Sequence, residues 1–263
     1  MLTRLISLLS GSILLLTIVS CDKFEYSVFE VSDLKYQNIN LANIERLPQS
    51  NDTFRIAVIG DTQRFYGQSE DVVDLINKNP DIDFVVHTGD LVDFGVQREY
   101  EWMHEVLAKL NAPYIAVIGN HDLIGNGDIL YKEMYGQENF SFLHGHTKFI
   151  YINTNSREYN FPGDVPNISW LDSELADSAN YKQAIIVCHV SMKNVDFNED
   201  LKDPFNNTLS KYGKTLMGIN GHNHGFDTSY TDGIFRLNSS STSEKKYVEL
   251  TIWEGGYNLD LVE

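Results

Sequence analysis

Cysteine and positive charge are scarce in this sequence. Only Cys21 and Cys188 occur among 263 residues, so a disulfide framework is excluded and the core must hold by packing. Lysine and arginine number 20 against 37 aspartates and glutamates, a formal charge of −17. That surface repels phosphate backbones, and no basic stripe interrupts it, which argues against nucleic acid as a partner. There is no G-x-x-x-x-G-K phosphate loop, no G-x-S-x-G elbow, no H-E-x-x-H helix and no calcium-loop pattern. No internal repeat, low-complexity tract or second domain boundary appears either. What is present is 42% hydrophobic residues, enough for one large domain with a substantial core.

The first residues stand apart. Arg4 is followed by an uncharged run, Leu5 to Val19, too short and too interrupted by Ser and Gly for a membrane span; it reads as an export signal. The run ends in "TIVSC", which resembles the lipobox of bacterial lipoproteins. That resemblance implies removal of residues 1–20, acylation of Cys21, and a lipid-anchored extracytoplasmic domain in the bacterial cell envelope. An uncleaved N-terminal anchor is the second reading. Loss of residues 1–20 deletes one cation, Arg4, and no acid, so the mature chain is more acidic still.

Residues 21–53 read as the lipidated cysteine, a tether and an N-terminal segment laid over the domain, with one short helix near "LANIERL". The domain proper spans 54–263. Its first half alternates strand and helix: "RIAVIGD", "SEDVVDLINKN", "DFVVHTGD", "REYEWMHEVLAKL", "YIAVIGN". This β-α-β-α-β order predicts a parallel sheet covered by helices, and the near-continuous apolar runs predict strands buried on both faces. Further strands are expected in "FSFLHGHTKFIYINT" and "QAIIVCHV", and a helix in "ISWLDSELADS". "GIFRLN", "KYVELTIW" and "YNLDLVE" are spaced like an antiparallel meander.

The main apolar strands stop at ligand-type side chains. The stops are "GDTQ" (Asp61, Gln63), "GDLVD" (Asp90, Asp93), "GNHD" (Asn120, His121, Asp122), "VCH" (His189) and "GHNH" (His222, His224). In an open α/β sheet the carboxyl ends of strands converge on one crevice, which would bring these distant groups together. Carboxylate, imidazole and amide oxygen suit divalent metals, and a pair of ions needs a shared carboxylate with ligands on both flanks. Glycine before these ligands permits sharp turns and close approach.

The series "GD…GDxxD…GNHD…H…GHxH" resembles the calcineurin-like metallophosphoesterases, from Phe54 to roughly the C-terminus. The resemblance implies an α/β fold, a four-layer α/β/β/α sandwich, around two divalent metal ions: manganese, iron or zinc foremost, with magnesium admitted. By the same resemblance Asp61 and His224 hold the first ion, Asp90 bridges, and Asn120, His189 and His222 hold the second. His222 and His224 are expected to diverge because side chains alternate along an extended segment. His121 matches a non-ligand histidine near the leaving group, and Asp122 its orienting acid. The implied function is hydrolysis of phosphate mono- or diesters by a hydroxide bridging the two ions. A non-catalytic cell-envelope binding or scaffold lipoprotein of the same fold is the alternative.

Gln63 departs from the family's "GDxH". An amide oxygen is a weaker, harder ligand than imidazole, which predicts a weaker first site biased towards manganese, iron or magnesium; a degenerate, inactive site is the rival reading. Elsewhere His87 reads as a hydrogen-bonded core residue, His104 as a surface residue, and His144 and His146 as turn residues outside the site. Asp93 reads as a supporting acid, Cys188 as an inert buried thiol and Trp170 as helix packing. The polar stretch 191–213 reads as a substrate-facing lid.

Overall fold

The computed structural model describes residues 30–49, 53–177 and 179–263. Residues 1–20, read above as an export signal, and Cys21 lie outside the described residues. Within them no helix is long and apolar enough to cross a membrane.

The N-terminal segment carries α1 (Ile39–Glu45). The apolar runs form β1 (Thr53–Ile59), β2 (Phe84–His87) and β3 (Tyr114–Ala116), linked through α2 (Tyr66–Ile76) and α3 (Gln97–Leu107). After α4 (Gly127–Tyr135) come the hairpin strands β4 (Phe140–His144) and β5 (Thr147–Tyr151), then α5 (Ile168–Ala176), β6 (Gln183–Val187) and α6 (Glu199–Lys211). The chain closes with β7 (Thr215–Asn220), β8 (Asp227–Thr231), β9 (Ile234–Asn238), β10 (Tyr247–Trp253) and β11 (Gly256–Val262).

Two sheets result. One has the order β11-β10-β1-β2-β3 and the other β4-β5-β6-β7-β9-β8. Strands β1, β2 and β3 run parallel, as do β5, β6, β7 and β9. Alternation along each strand explains why the sheets stack. Phe54, Ile56 and Val58 of β1 enter a core between the sheets with Phe149, Tyr151, Ile185 and Val187, while Ala57 and Ile59 pack under the helices of the first sheet. On the far face of the second sheet, Ile150, Ala184 and Ile186 pack against Leu171, Leu175, Phe205 and Leu209 of α5 and α6. The layers are therefore α/β/β/α. At the centre Phe84 lies 5.1 Å from the Phe149 ring and 5.9 Å from Phe142, each such buried ring contributing about 1.5–3 kcal/mol.

Residues before β1 cover the open edge of β3. Asn40 donates through Nδ2 to the Ala116 carbonyl and accepts from the Ala116 amide through Oδ1, both at 2.9 Å, acting as a one-residue strand partner.

Four expectations need correction. The C-terminal strands are not one meander: β9 pairs in parallel with β7 and belongs to the second sheet, whereas β10 and β11 continue the first. Alternation in "KYVELTIW" gives a strand but not its neighbour, and Val248, Leu250 and Ile252 fit the inter-sheet core beside β1. The stretch 191–213 is only half loop, because α6 buries Phe205 and Leu209 against the second sheet; the polar residues that suggest a lid are its solvent face. His104 is half buried, its Nδ1 2.7 Å from the Tyr114 hydroxyl, and His144 is buried at the end of β4, edge-on to Phe54 and Phe84.

Candidate metal centre

Register brings the ligand-type blocks to one rim. Ile59 pairs with His87 and His87 with Ala116, so Asp61, Asp90 and Asn120 emerge from neighbouring strand ends. In the second sheet Val187 pairs with Ile219, which levels His189 with His222. The loops are then tied by backbone bonds: Asp61 N–H to the Gly89 carbonyl at 3.0 Å, Gln63 N–H to Asp90 at 3.1 Å, and Gly221 N–H to His189 at 3.1 Å. Close approach sets one glycine: a Cβ on Gly119 would overlap the backbone nitrogen and a carboxylate oxygen of Asp90.

Asp61, Gln63, Asp90, His222 and His224 all have left-handed backbone, with φ from 38° to 73°. Strain of this kind persists where the surroundings over-determine it, as at sites that must aim side chains. It also corrects the expected reason for the divergence of His222 and His224. No extended segment alternates there; two left-handed residues turn the imidazoles apart, His222 towards Asn120 and His224 Nε2 to 3.5 Å from Asp61 Oδ1.

The donor set fits a cation. Asp61, Asp90 and His189 each present a ligand atom within 4.8 Å of the others. His189 Nδ1 lies 2.8 Å from the Thr88 carbonyl and can only donate to it, which leaves Nε2 as the lone-pair nitrogen of the neutral ring. His222 Nε2 lies 3.1 Å from Asp196 Oδ2, which in the same way assigns the lone pair to its Nδ1. Asn120 Oδ1 sits 3.0 Å from His189 Nε2 and 2.9 Å from His222 Nδ1, and Asp90 Oδ1 is 3.3 Å from His189 Nε2. Four such atoms converging in a largely buried space suit a cation or donated protons placed among them.

When no cation is bound, protons would supply that charge. Burial pushes the Asp61 carboxyl up to about 8, with Asp90 adding to it, against the opposing pull of His189. Burial opposes protonation of His189, yet Asp90 and Asp61 overcome it and lift the ring to about 10. Burial would also raise Asp90, but His189 and His121 hold it well below the usual carboxylate range. His222, buried beside His189, falls to about 4. Both Asp61 and His189 are thus shifted towards their protonated forms, and a metal would compete with those protons. Metal binding is expected to release protons, and apparent affinity to rise as pH increases through neutrality. Calorimetry in two buffers of different ionisation enthalpy measures the release; affinity independent of pH between 6 and 8 would contradict this reading.

Gln63 is buried, and its Nε2 donates to Asp90 Oδ2 at 3.2 Å. The amide nitrogen, not the oxygen, faces Asp90, and ligation by Gln63 needs the amide turned over. His121 lies beside the cluster: its backbone N–H donates to Asp90 Oδ1 at 2.9 Å, and its Nδ1 lies 2.8 Å from the Asp93 carbonyl and 3.5 Å from Asp93 Oδ1. Asp93, not Asp122, touches the His121 ring. The Asp122 carboxylate accepts from the backbone of Val92 and Gly119, at 3.1 and 2.8 Å, and staples the two loops together. Sequence adjacency misleads here because His121–Leu123 is a tight 3₁₀ turn that sends consecutive side chains to different sides. His87 is a core residue, its Nε2 3.1 Å from Thr62 Oγ1, and Cys188 is buried on the far face of the second sheet.

Asp196 escaped the sequence reading because it sits in a polar loop with no motif. It holds His222 and is itself held by Arg157 Nη1 at 2.8 Å. Partners of this kind fix the tautomer and orientation of a metal-binding imidazole, and removing one typically costs 10–100-fold in affinity or activity. Asp196→Asn is therefore expected to weaken metal binding by roughly 10–100-fold, read by chelator competition.

Residues 54–226 match the family described as calcineurin-like phosphoesterase. The chain belongs to this family. A probable glycerophosphodiester phosphodiesterase of Arcobacter nitrofigilis is 23% identical over 195 residues, covering 68% of this chain and 70% of that protein. A 3',5'-cyclic-nucleotide phosphodiesterase of Nostoc is 29% identical over 143 residues, 53% of this chain and 52% of that protein, so the match spans about half of each. Among solved structures, a dimetal phosphatase from Danio rerio superposes with a TM-score of 0.67 at 13% identity, over 80% of this chain and 96% of that one, a likeness of fold. Membership makes the chain a metal-dependent phosphoric ester hydrolase, and the buried group Asp61, Asp90 and His189 is a candidate seat for that metal.

Proposed function

We propose that the chain hydrolyses phosphate diesters at a centre of two divalent ions. The facing lone pairs of Asn120, His189, His222 and Asp90 carry this reading. Asp61 and His224 would hold one ion, Asn120, His189 and His222 the other, with Asp90 between them. When bound, such a pair polarises phosphoryl oxygens and lowers the pKa of water. The chain's own groups do the rest. Burial of Asp61, Asp90 and His189 strengthens every charge interaction in the crevice. His121, with Nδ1 committed to Asp93, has Nε2 left for the departing oxygen, to which the imidazolium form can pass a proton.

The names of the two curated relatives favour diesters over monoesters. A hydrolysis screen of the purified protein against mono- and diester phosphates, after chelation and return of each divalent ion, tests the reading. Metal-dependent turnover of diesters at least tenfold faster than of the matching monoesters supports it, and turnover insensitive to chelation contradicts it.

Gln63 is proposed as a weak ligand of the first ion. Gln63→His is expected to tighten the weaker of two binding steps about tenfold or more in a manganese titration, since imidazole is the better ligand. Unchanged affinity at both steps would remove Gln63 from the ligand set.

The mature chain is proposed to be held at a bacterial membrane by lipid on Cys21. The expected result is partition of the full chain into detergent that Cys21→Ala abolishes.

A further inference from the structure

Away from the metal centre, the outer face of the second sheet carries a buried cation with no carboxylate in direct contact; the nearest acid, exposed Asp232, reaches it only through Asn206. Arg236 on β9 is 9% exposed. Among the described residues no carboxylate pairs with it: Nη2 lies 3.3 Å from Asn206 Oδ1 and 3.7 Å from Met192 Sδ, and buried Nε has no partner. The sheet makes room for it, because its β7 neighbour is Gly218, where a Cβ would press on the guanidinium Nη1. Burying a charge without a direct partner is costly, and an anion beside it would offset that cost.

Beside it lies a surface cup of about 60 Å³. Buried Arg236, Asn220 and Asn238 line it, with Lys193, Ser229 and exposed Asp227. Lys193 Nζ is held by Ser229 Oγ at 3.0 Å. Two cations against one acid make the cup locally positive on a chain whose formal charge is −17. A cup of this size has room for a small polyatomic ion between the two cations.

We propose that this cup binds a free tetrahedral oxyanion, phosphate or sulfate, between Arg236 and Lys193. The cup is separate from the metal centre but joined to it. Asn223, which lines it, stands between His222 and His224 and accepts from Asn194 Nδ2 at 3.0 Å. The loop that carries Asn194 also carries Asp196, the partner of His222. An ion in the cup therefore braces the turn that bears two of the proposed ligands, whether or not the centre turns over.

The test is thermal melting of the metal-loaded full chain with 0 to about 10 mM sodium sulfate, at constant ionic strength set by chloride. The expected result is a rise in melting temperature for the wild type and for His222→Ala. Lys193→Met and Arg236→Met are expected to lose at least three-quarters of it. Lys193 is exposed, so its variant remains informative should Arg236→Met fail to fold. An equal rise in Lys193→Met, no rise in the wild type, or loss of the rise in His222→Ala would each overturn the proposal, the last by placing the ion on the metals. A rise with glycerol phosphate that also depends on Lys193 would make the ligand an ester's phosphate group and overturn the free-ion assignment.

Discussion

Asp90→Asn is expected to reduce phosphodiester turnover by roughly a thousandfold. The carboxylate stands between the two proposed ligand sets: Oδ1 faces His189 and takes the His121 amide, and Oδ2 takes Gln63 Nε2. Its loss removes the one negative charge both ions would share, worth about 4 kcal/mol of transition-state stabilisation, and each 1.36 kcal/mol is tenfold in rate. The amide keeps the volume and can still accept the His121 amide, so the metal-free fold should survive with a melting point shifted by only a few degrees, at about 2–4 °C per kcal/mol for this size. Divalent ions should stabilise the wild type and not the variant. This contrast separates a catalyst from a scaffold of the same fold. A scaffold would have no rate to lose, and an Asp90→Asn protein that keeps both its rate and its metal-induced stabilisation would contradict the proposed centre.

His121→Ala is expected to show an effect that depends on the leaving group. With alkyl esters, whose departing oxygen needs a proton, the loss should be about 10²–10⁴-fold, the range typical of a positioned general acid. With nitrophenyl esters it should be less than about tenfold, because nitrophenolate departs without help. The geometry supports this selectivity: the ring is fixed through Nδ1 by the Asp93 carbonyl at 2.8 Å, whereas its backbone amide already serves Asp90. Removal of the side chain therefore spares the tie to Asp90. Equal losses on both ester classes would assign His121 to charge stabilisation instead of proton transfer.

Much of the candidate site was legible because its logic is local. Each block is an apolar strand followed by a turn and a ligand-type residue, and parallel register alone brings the ends of β1, β2 and β3 to one level. The two layers of strands were not legible from periodicity. Buried runs such as Phe84–His87 look the same whichever sheet they join, and only the family resemblance supplied the sandwich. The fate of the C-terminal strands was hidden for the same reason: β9 and β10 both alternate, yet they lie in different sheets.

Supporting residues were harder to find than ligands. Asp122 follows His121 in sequence but serves the amides of Gly119 and Val92, while Asp93, 28 residues earlier, holds the ring. Asp196 reaches His222 across 26 residues from a loop without a motif. Such contacts follow from tertiary placement, and no spacing rule encodes them. The departure at Gln63 was visible at once in "GDTQ"; that its amide nitrogen faces Asp90 was not.

The most direct test is crystallographic. Crystals of the protein grown with manganese should show two anomalous peaks about 3.5–4 Å apart, with Asp90 between them, Asp61 and His224 on one and Asn120, His189 and His222 on the other. No ion within ligand distance of Asp90, or a single ion bound elsewhere on the acidic surface, would contradict the two-metal centre and leave only the fold.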